Sequence, residues 1–260
     1  MIENAYTLLA VKLVSVPIFI LIVSVVGHRW GHSIGGLILG LPLTSGPVLL
    51  FLALEQGNRF ASGAALGTLL GLISLSTSCL VFSRLSYRLR WSISLVGCCI
   101  VYFAVALLLN FIEVPLVTAL IVVLVILAVV HEVFPSDSTG NVSRKSPVWE
   151  IPARMIAATT LVLLITGGAS ILGPHLSGLL TPFPVYATII GVFILRFDGA
   201  GASALFLRGL VTGCFTTAVF LFLISASIVH FGLIPSMSLA LLVALVMHSL
   251  LLYSFKKRGR

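Results

Sequence analysis

Nine apolar segments, separated by short polar connections, occupy almost the whole chain. A helix needs about 20 predominantly apolar residues to cross a bilayer. Charged residues make up only 8% of the sequence, whereas soluble domains average about 25%. We therefore predict an all-α integral membrane protein with about nine transmembrane helices. The predicted spans are 7–26, 33–54, 60–82, 91–110, 114–130, 151–172, 175–197, 201–229 and 236–255.

The distribution of Lys and Arg predicts an orientation. When connections are assigned to alternate sides of the membrane, 13 of the 15 Lys and Arg residues fall on one side, and only Lys12 and Arg59 on the other. Cytoplasmic connections carry such an excess of positive charge. This indicates a multi-pass protein of the cell inner (plasma) membrane, with its N-terminus outside and its C-terminus cytoplasmic. The net charge of +8 is then topological, and no nucleic-acid partner is expected.

A second pattern is an internal repeat at an offset of 142 residues. The offset pairs Gly36 with Gly178, Pro42 with Pro184, Gly57 with Gly199, Gly67 with Gly209, and Gly71 with Gly213. The shift equals five spans, an odd number, so the two halves would enter the membrane from opposite sides. We predict two inverted-topology four-helix repeats joined by a linking helix. Residues 1–112 form the first repeat, 113–150 the linking span and a cytoplasmic loop, and 151–260 the second repeat with a basic tail.

Spans two and seven are interrupted by Gly and Pro at matching positions, which in inverted-repeat transporters marks the substrate site. A broken helix frees backbone groups at membrane depth, and these groups need a partner. The alternative is that the interruptions are packing kinks, since Gly and Pro are common in membrane helices. The candidate substrate-binding residues are Gly40, Pro42, Thr44, Ser45, Gly46 and Pro47 in span two, and Thr181, Pro182, Pro184, Tyr186 and Thr188 in span seven.

Four charged or titratable residues inside spans are candidates for charge attraction or ion coupling, because charge in a span is costly. Lys12, Arg154 and Arg208 lie near span ends, where their side chains alternatively snorkel to the interface. His248 lies deep in a span and is either a coupling group or a packing histidine. Asp198 lies beside Arg196 and is expected to be solvated at the interface, with an ion pair or a gate as the alternative. His28 and His32 flank a turn with no neighbouring carboxylate in sequence, so no metal site is predicted.

No motif for a catalytic nucleophile, a metalloprotease or an ATP-binding loop occurs, so we expect neither an enzyme nor a cofactor. The predicted function is a secondary transporter for a small solute or ion, with a weak preference for an anion. The alternatives are a flippase for a lipid or lipid-linked intermediate, and a non-transporting membrane subunit or assembly factor. The lipid bilayer is the expected surrounding, and a homo-oligomer is compatible with the sequence.

Overall fold

The computed structural model describes residues 17–18, 20–42, 45–135, 149–157, 159–160 and 185–258, without the side chains of 51, 55 and 254–258. Within these ranges every regular element is an α-helix. The helices are α1 (Ile20–Trp30), α2 (His32–Leu39), α3 (Ser45–Gln56), α4 (Asn58–Ser86), α5 (Trp91–Leu109), α6 (Leu116–Val133), α7 (150–157), α8 (Val185–Phe197), α9 (Ala200–Phe231) and α10 (Leu233–Arg258).

Five of these helices are long and apolar enough to cross a membrane: α4, α5, α6, α9 and α10. They correspond to the predicted spans three, four, five, eight and nine, and their bounds agree within a few residues. The shorter apolar helices α1, α3 and α8 add to this set. The chain is therefore an all-helical, membrane-embedded protein. Spans one, six and seven run into residues outside the described ranges, so the count of nine stays a prediction.

The second predicted span is two helices, not one. Helix α2 ends at Leu39 and α3 begins at Ser45. Pro42 has no N–H to donate and its ring clashes with the carbonyl four residues earlier, so α2 cannot continue through it. The amide of Leu41 instead donates to the carbonyl of Ile38 at 3.1 Å. Pro47, in the first turn of α3, is tolerated because amides there lack intrahelical partners.

Helices α4 and α9 form the centre of the bundle and run antiparallel. Ser62, near the start of α4, donates its hydroxyl to the carbonyl of Ser225 at 2.8 Å, near the end of α9. The Ser225 hydroxyl donates back to the carbonyl of Ser62 at 3.0 Å. Helix α6 packs against both, α5 packs on α4, and α10 packs on α9. The outward faces of α5, α6 and α10 expose rows of large apolar side chains suited to lipid, among them Ile100, Leu107, Val117, Val125, Leu242 and Leu250.

Equivalent helices begin 142 residues apart. Helix α4 begins at Asn58 and α9 at Ala200 (200 − 58 = 142). Helix α5 begins at Trp91 and α10 at Leu233 (233 − 91 = 142). Gly57 and Gly199, which precede α4 and α9, both have left-handed backbones, with φ of 89° and 94°, a conformation that favours glycine. The identities found in the sequence thus coincide with identical helix starts.

Candidate functional site

Helix α2 lies directly on α9 through pairs of glycines. A Cβ added to Gly40 would lie 2.5 Å from the Cα of Gly213, and one added to Gly213 would lie 2.5 Å from the carbonyl oxygen of Leu37. At Gly36 and Gly209 an added Cβ would likewise collide with the backbone of the facing helix. Small residues of this kind let two membrane helices approach until their backbones touch. The interrupted span is therefore held by backbone contact with α9.

The interruption itself lies along the middle of α9. The carbonyl of Gly40, which follows the end of α2, accepts a hydrogen bond from Thr217 Oγ1 at 2.5 Å. At the other side of the interruption, a Cβ on Gly46 would lie 3.7 Å from Phe220 Cζ. The last four carbonyls of any helix need such outside partners. Thr217 supplies one of them from α9.

Several buried polar groups around this region have no hydrogen-bond partner among the described residues. They are the hydroxyl of Ser45 at the start of α3, the hydroxyl of Thr216 on α9, and both ring nitrogens of His248 on α10. Helix α10 packs against α9 and also contacts α2 and α3. Each such group costs about 1–3 kcal/mol if it stays unsatisfied. Water or a bound polar solute would remove this cost.

The structure places the predicted substrate-binding residues as follows. Gly40, Pro42, Ser45, Gly46 and Pro47 lie at the α2–α3 interruption. In the first turn of α8, Tyr186 is partly buried against the core, and Thr188 donates to the carbonyl of Val185 at 3.0 Å. Thr44, Thr181, Pro182, Pro184 and Lys12 lie outside the described residues. A joint cavity between the two interruptions therefore stays a prediction.

The glycines of α4 and α9 differ from each other. Gly209 and Gly213 on α9 make the close approach expected of small residues. At Gly63 and Gly67 on α4, an added Cβ would meet no described atom within 4 Å. Among the described contacts, close packing at these glycines is therefore found on α9 and not at Gly63 or Gly67.

A second polar site joins the ends of α1, α2, α7 and α8. Arg154 forms an ion pair with Glu150, one turn earlier on α7, and its Nη1 donates to Ser24 Oγ at 3.3 Å. His28 Nε2 lies 3.9 Å from Glu150 Oε2. His32 Nε2 lies 3.4 Å from Asp198 Oδ2. We call this group the inner cluster: His28, His32, Glu150, Arg154 and Asp198.

The inner cluster corrects three sequence-based interpretations. Arg154 does not snorkel: its side chain is only 2% exposed. Asp198 was expected to be solvated at the interface, but its side chain is only 6% exposed and pairs with His32 on α2. Carboxylates do accompany His28 and His32, because Glu150 and Asp198 arrive from other helices. Among the described residues, no group of three or more His, Cys, Asp or Glu is placed to hold a metal ion.

One feature of the sequence could have located part of this cluster. Glu150 and Arg154 are four residues apart, a spacing at which opposite charges meet on one helix face. They stand where the polar stretch 131–150 gives way to an apolar segment. The approach of His32 and Asp198 has no such local signal, because 166 residues (198 − 32) separate them.

Burial controls the protonation of the His32–Asp198 pair. It lowers the pKa of His32 below 6.5, although the Asp198 carboxylate acts to raise it. Burial raises the pKa of Asp198 above 3.8, although His32 acts to lower it. Removing a charge from water disfavours the charged form of either group. Both groups are thus shifted toward their neutral forms.

A small cavity adjoins the inner cluster. Its volume is about 190 Å³ with the part open to solvent included, and its polar lining is Ser24, His28, His32 and Arg154. Val23, Ile190, Ile194 and Phe206 supply apolar walls. The enclosed volume of the cavity is only about 10 Å³, and a cavity needs about 10–15 Å³ on this measure to hold one water. The cavity therefore has space for about a single water molecule.

Arg208 and His131 form a further polar contact at the same end of the bundle. Arg208 Nη2 lies 3.4 Å from His131 Nε2, and Thr212 Oγ1 lies 3.1 Å from His131 Nδ1. Nearby, Arg84 at the end of α4 donates to the carbonyl of Val133 at the end of α6. We call this end of the bundle, with the inner cluster, Arg84 and Arg208, the basic end.

In comparisons of the chain with known proteins, no family model, no curated protein and no solved structure matches it. Its class is defined by its own fold, an all-helical membrane-embedded bundle with an interrupted helix packed on its central helix.

Proposed function

We propose that the chain is a secondary transporter of a small solute, with the substrate site at the α2–α3 interruption. The observation that carries this proposal is the arrangement of Gly40, Ser45, Thr216 and Thr217. Here a helix end, its capping threonine and unpartnered buried hydroxyls meet the middle of the central helix α9. Broken helices at membrane depth are found where the freed backbone lines a cavity or is buried in protein.

The proposal includes the inverted repeat and nine spans. Three observations support it. The starts of α4 and α9, and of α5 and α10, are related by the 142-residue offset. The equivalent helices α4 and α9 run antiparallel, as inverted repeats require. The proposed linking helix α6 packs against both of them.

A preference for an anionic solute also belongs to the proposal. Helix α3 begins at Ser45, and a helix N-terminus attracts negative charge through its dipole. No Asp or Glu lies within the described residues 32–42 and 45–54 of this interrupted span. A cation would find no carboxylate there to balance its charge.

Cysteine accessibility tests the site without knowledge of the solute. Cys79, Cys98, Cys99 and Cys214 are first replaced, and a single Cys is placed at Ser45. A membrane-impermeant thiol reagent is then applied from each side in turn. We expect labelling from both sides, because a transport site opens alternately to each. The matched control is Ala65→Cys, which is fully buried in α4 and should stay unlabelled.

Absence of labelling at position 45 from either side would refute the transport site and favour a non-transporting subunit. The flippase alternative is tested in the same background by a lipid-soluble reagent. Labelling of Ser45→Cys by that reagent alone would indicate access from the bilayer, which a lipid substrate needs and a small aqueous solute does not.

A further inference from the structure

We propose that the inner cluster is a proton-binding site, which holds the basic end of the bundle closed while it carries one proton. The cluster contains two carboxylates, one guanidinium and two imidazoles, drawn from α1, α2, α7 and the end of α8. That the bound proton is the coupling ion of the transporter rests on the proposed function. The proton site itself does not.

The charge count of the cluster favours one bound proton. Glu150 and Arg154 neutralise each other in their ion pair. With both imidazoles neutral, the ionised Asp198 leaves a net charge of −1 in a partly desolvated site. One added proton, shared by His32 and Asp198, brings the cluster to neutrality. The groups whose charges act on His32 are Asp198, His28, Arg154 and Glu150, so none is left out of this count.

The geometry provides both a path and a place for the proton. The cavity brings Ser24, His28, His32 and Arg154 to one space, which is large enough for about one water. Two buried polar atoms of the cluster, Glu150 Oε2 and Arg154 Nε, have no hydrogen-bond partner among the described residues, and Asp198 Oδ2 faces His32 Nε2 at 3.4 Å. A water in the cavity could hydrogen-bond to these atoms and transfer a proton to or from the cluster.

The cluster also joins elements that a transporter must separate in order to open. In the proposed repeat, His28 and His32 belong to the first half of the chain, whereas Glu150, Arg154 and Asp198 belong to the linker end and the second half. Loss of the shared proton leaves the cluster with a net charge of −1 in a partly desolvated site, where an unbalanced charge is unfavourable. Opening to water relieves that cost, so deprotonation opens the basic end.

The sequence does not repeat the titratable residues of this cluster at the 142-residue offset. The 142-residue offset places Gln56 at the position of Asp198, Pro174 at that of His32 and Leu8 at that of Glu150. Only Arg154 has a charged counterpart, Lys12.

The first test measures proton binding directly. The full chain in detergent micelles, with ¹⁵N-labelled histidine, is titrated by NMR, and His28→Gln and His32→Gln identify the two signals among six histidines. We expect His32 to titrate below pH 6.5 and Asp198→Asn to lower its midpoint further, because the Asp198 carboxylate acts to raise the pKa of His32. Glu132→Gln, an exposed carboxylate at the same end, should leave it unchanged.

The second test measures closure. Trp149 lies 5.5 Å, ring centroid to ring centroid, from Phe197, beside Asp198. With Trp30 and Trp91 changed to Phe, its emission reports on the contact between α7 and α8. We expect a one-proton transition with pH that is lost in Asp198→Asn and in His32→Gln, and that persists in Glu132→Gln. Circular dichroism of each variant verifies that it is folded.

The outcomes separate the two proposals. A His32 midpoint unaffected by Asp198→Asn, or a Trp149 transition that survives both substitutions, overturns the proton site whatever the labelling at Ser45 shows. A normal titration combined with an unlabelled Ser45→Cys keeps the proton site and removes the transporter.

Discussion

Replacement of Gly213 by alanine tests the close approach of α2 and α9. The added Cβ would lie 2.5 Å from the Leu37 carbonyl oxygen and 2.7 Å from the Cα of Gly40. Carbon–oxygen contacts in proteins are rarely closer than about 3.3 Å, and the best carbon–carbon separation is about 3.5–4.0 Å. Both neighbours are backbone atoms, so no side chain can turn aside. The two helices would have to separate by about 1 Å.

The expected cost follows from two opposing terms. Overpacking of a well-packed contact costs about 1–3 kcal/mol, and a gap of about 1 Å also forfeits up to half of the dispersion attraction at the contact. Against this, alanine is favoured over glycine in a helix by about 0.5–1 kcal/mol. We expect Gly213→Ala to lower the free energy of unfolding by about 1–2 kcal/mol on these terms.

Unfolding by denaturant in detergent micelles, followed by circular dichroism, measures this change. The matched control is Gly63→Ala, also within a long central helix, where an added Cβ meets no described atom within 4 Å. It should be neutral or stabilising, by up to about 1 kcal/mol. If Gly213→Ala is as stable as Gly63→Ala, the helices are not in backbone contact at this point and the reasoning fails.

Four further predictions follow from the same contacts. At Gly209 an added Cβ would collide with the α2 backbone, whereas at Gly67 it would meet no described atom within 4 Å, so we expect Gly209→Ala to destabilise the protein in the same assay and Gly67→Ala to be tolerated; equal losses would contradict these contacts. Thr217→Val, which leaves the Gly40 carbonyl unpaired, should cost about 1–3 kcal/mol of unfolding free energy, whereas Thr217→Ser should restore most of it. Pro42→Ala should rejoin α2 and α3 and reduce thiol labelling of a cysteine at position 45 several-fold. Pro235→Ala, in the first turn of α10, should leave the labelling unchanged. Equal effects of the two substitutions would mean that the interruption is not what exposes position 45. The folded-state pKa of His32 lies below its unfolded value of 6.5, so between these two values the unfolded chain binds more protons and the protein loses stability as the pH is lowered. Asp198, whose folded-state pKa is raised, acts in the opposite direction, so the contribution of His32 is measured as the difference between the native chain and His32→Gln. Identical stability–pH curves for the two proteins would contradict the burial of His32.

Much of the fold is predictable from local sequence. The five long helices follow directly from apolar segments of sufficient length, because a helix satisfies its own backbone within lipid. The interruption of the second span follows from Pro42, whose ring acts on the turn immediately before it. The identity of the residues at the offset of 142 also anticipated the matching starts at Asn58 and Ala200.

The candidate sites are less predictable, because their contacts join distant residues. Gly40 was recognised as part of an interruption, but its capping partner Thr217 is 177 residues away. Arg154 was interpreted as an interfacial cation, and only the packing of α7 against α1 places it in a buried ion pair with Ser24 as a further acceptor. A charged residue near the end of a single helix is expected to lie at the membrane–water interface. A neighbouring helix can instead bury that residue, as it does Arg154.

By itself, the sequence determined that this chain is embedded in a membrane, that most of it is helical, and where the second predicted span is interrupted. These properties depend on transfer free energy and on backbone chemistry, both of which act over one or two helical turns. Only the tertiary structure decided that α9 is the partner of the interrupted helix and that His32 meets Asp198. Those choices depend on the fit of whole helix surfaces, where glycines allow backbones to touch and a few buried charges find their counter-charges across the bundle.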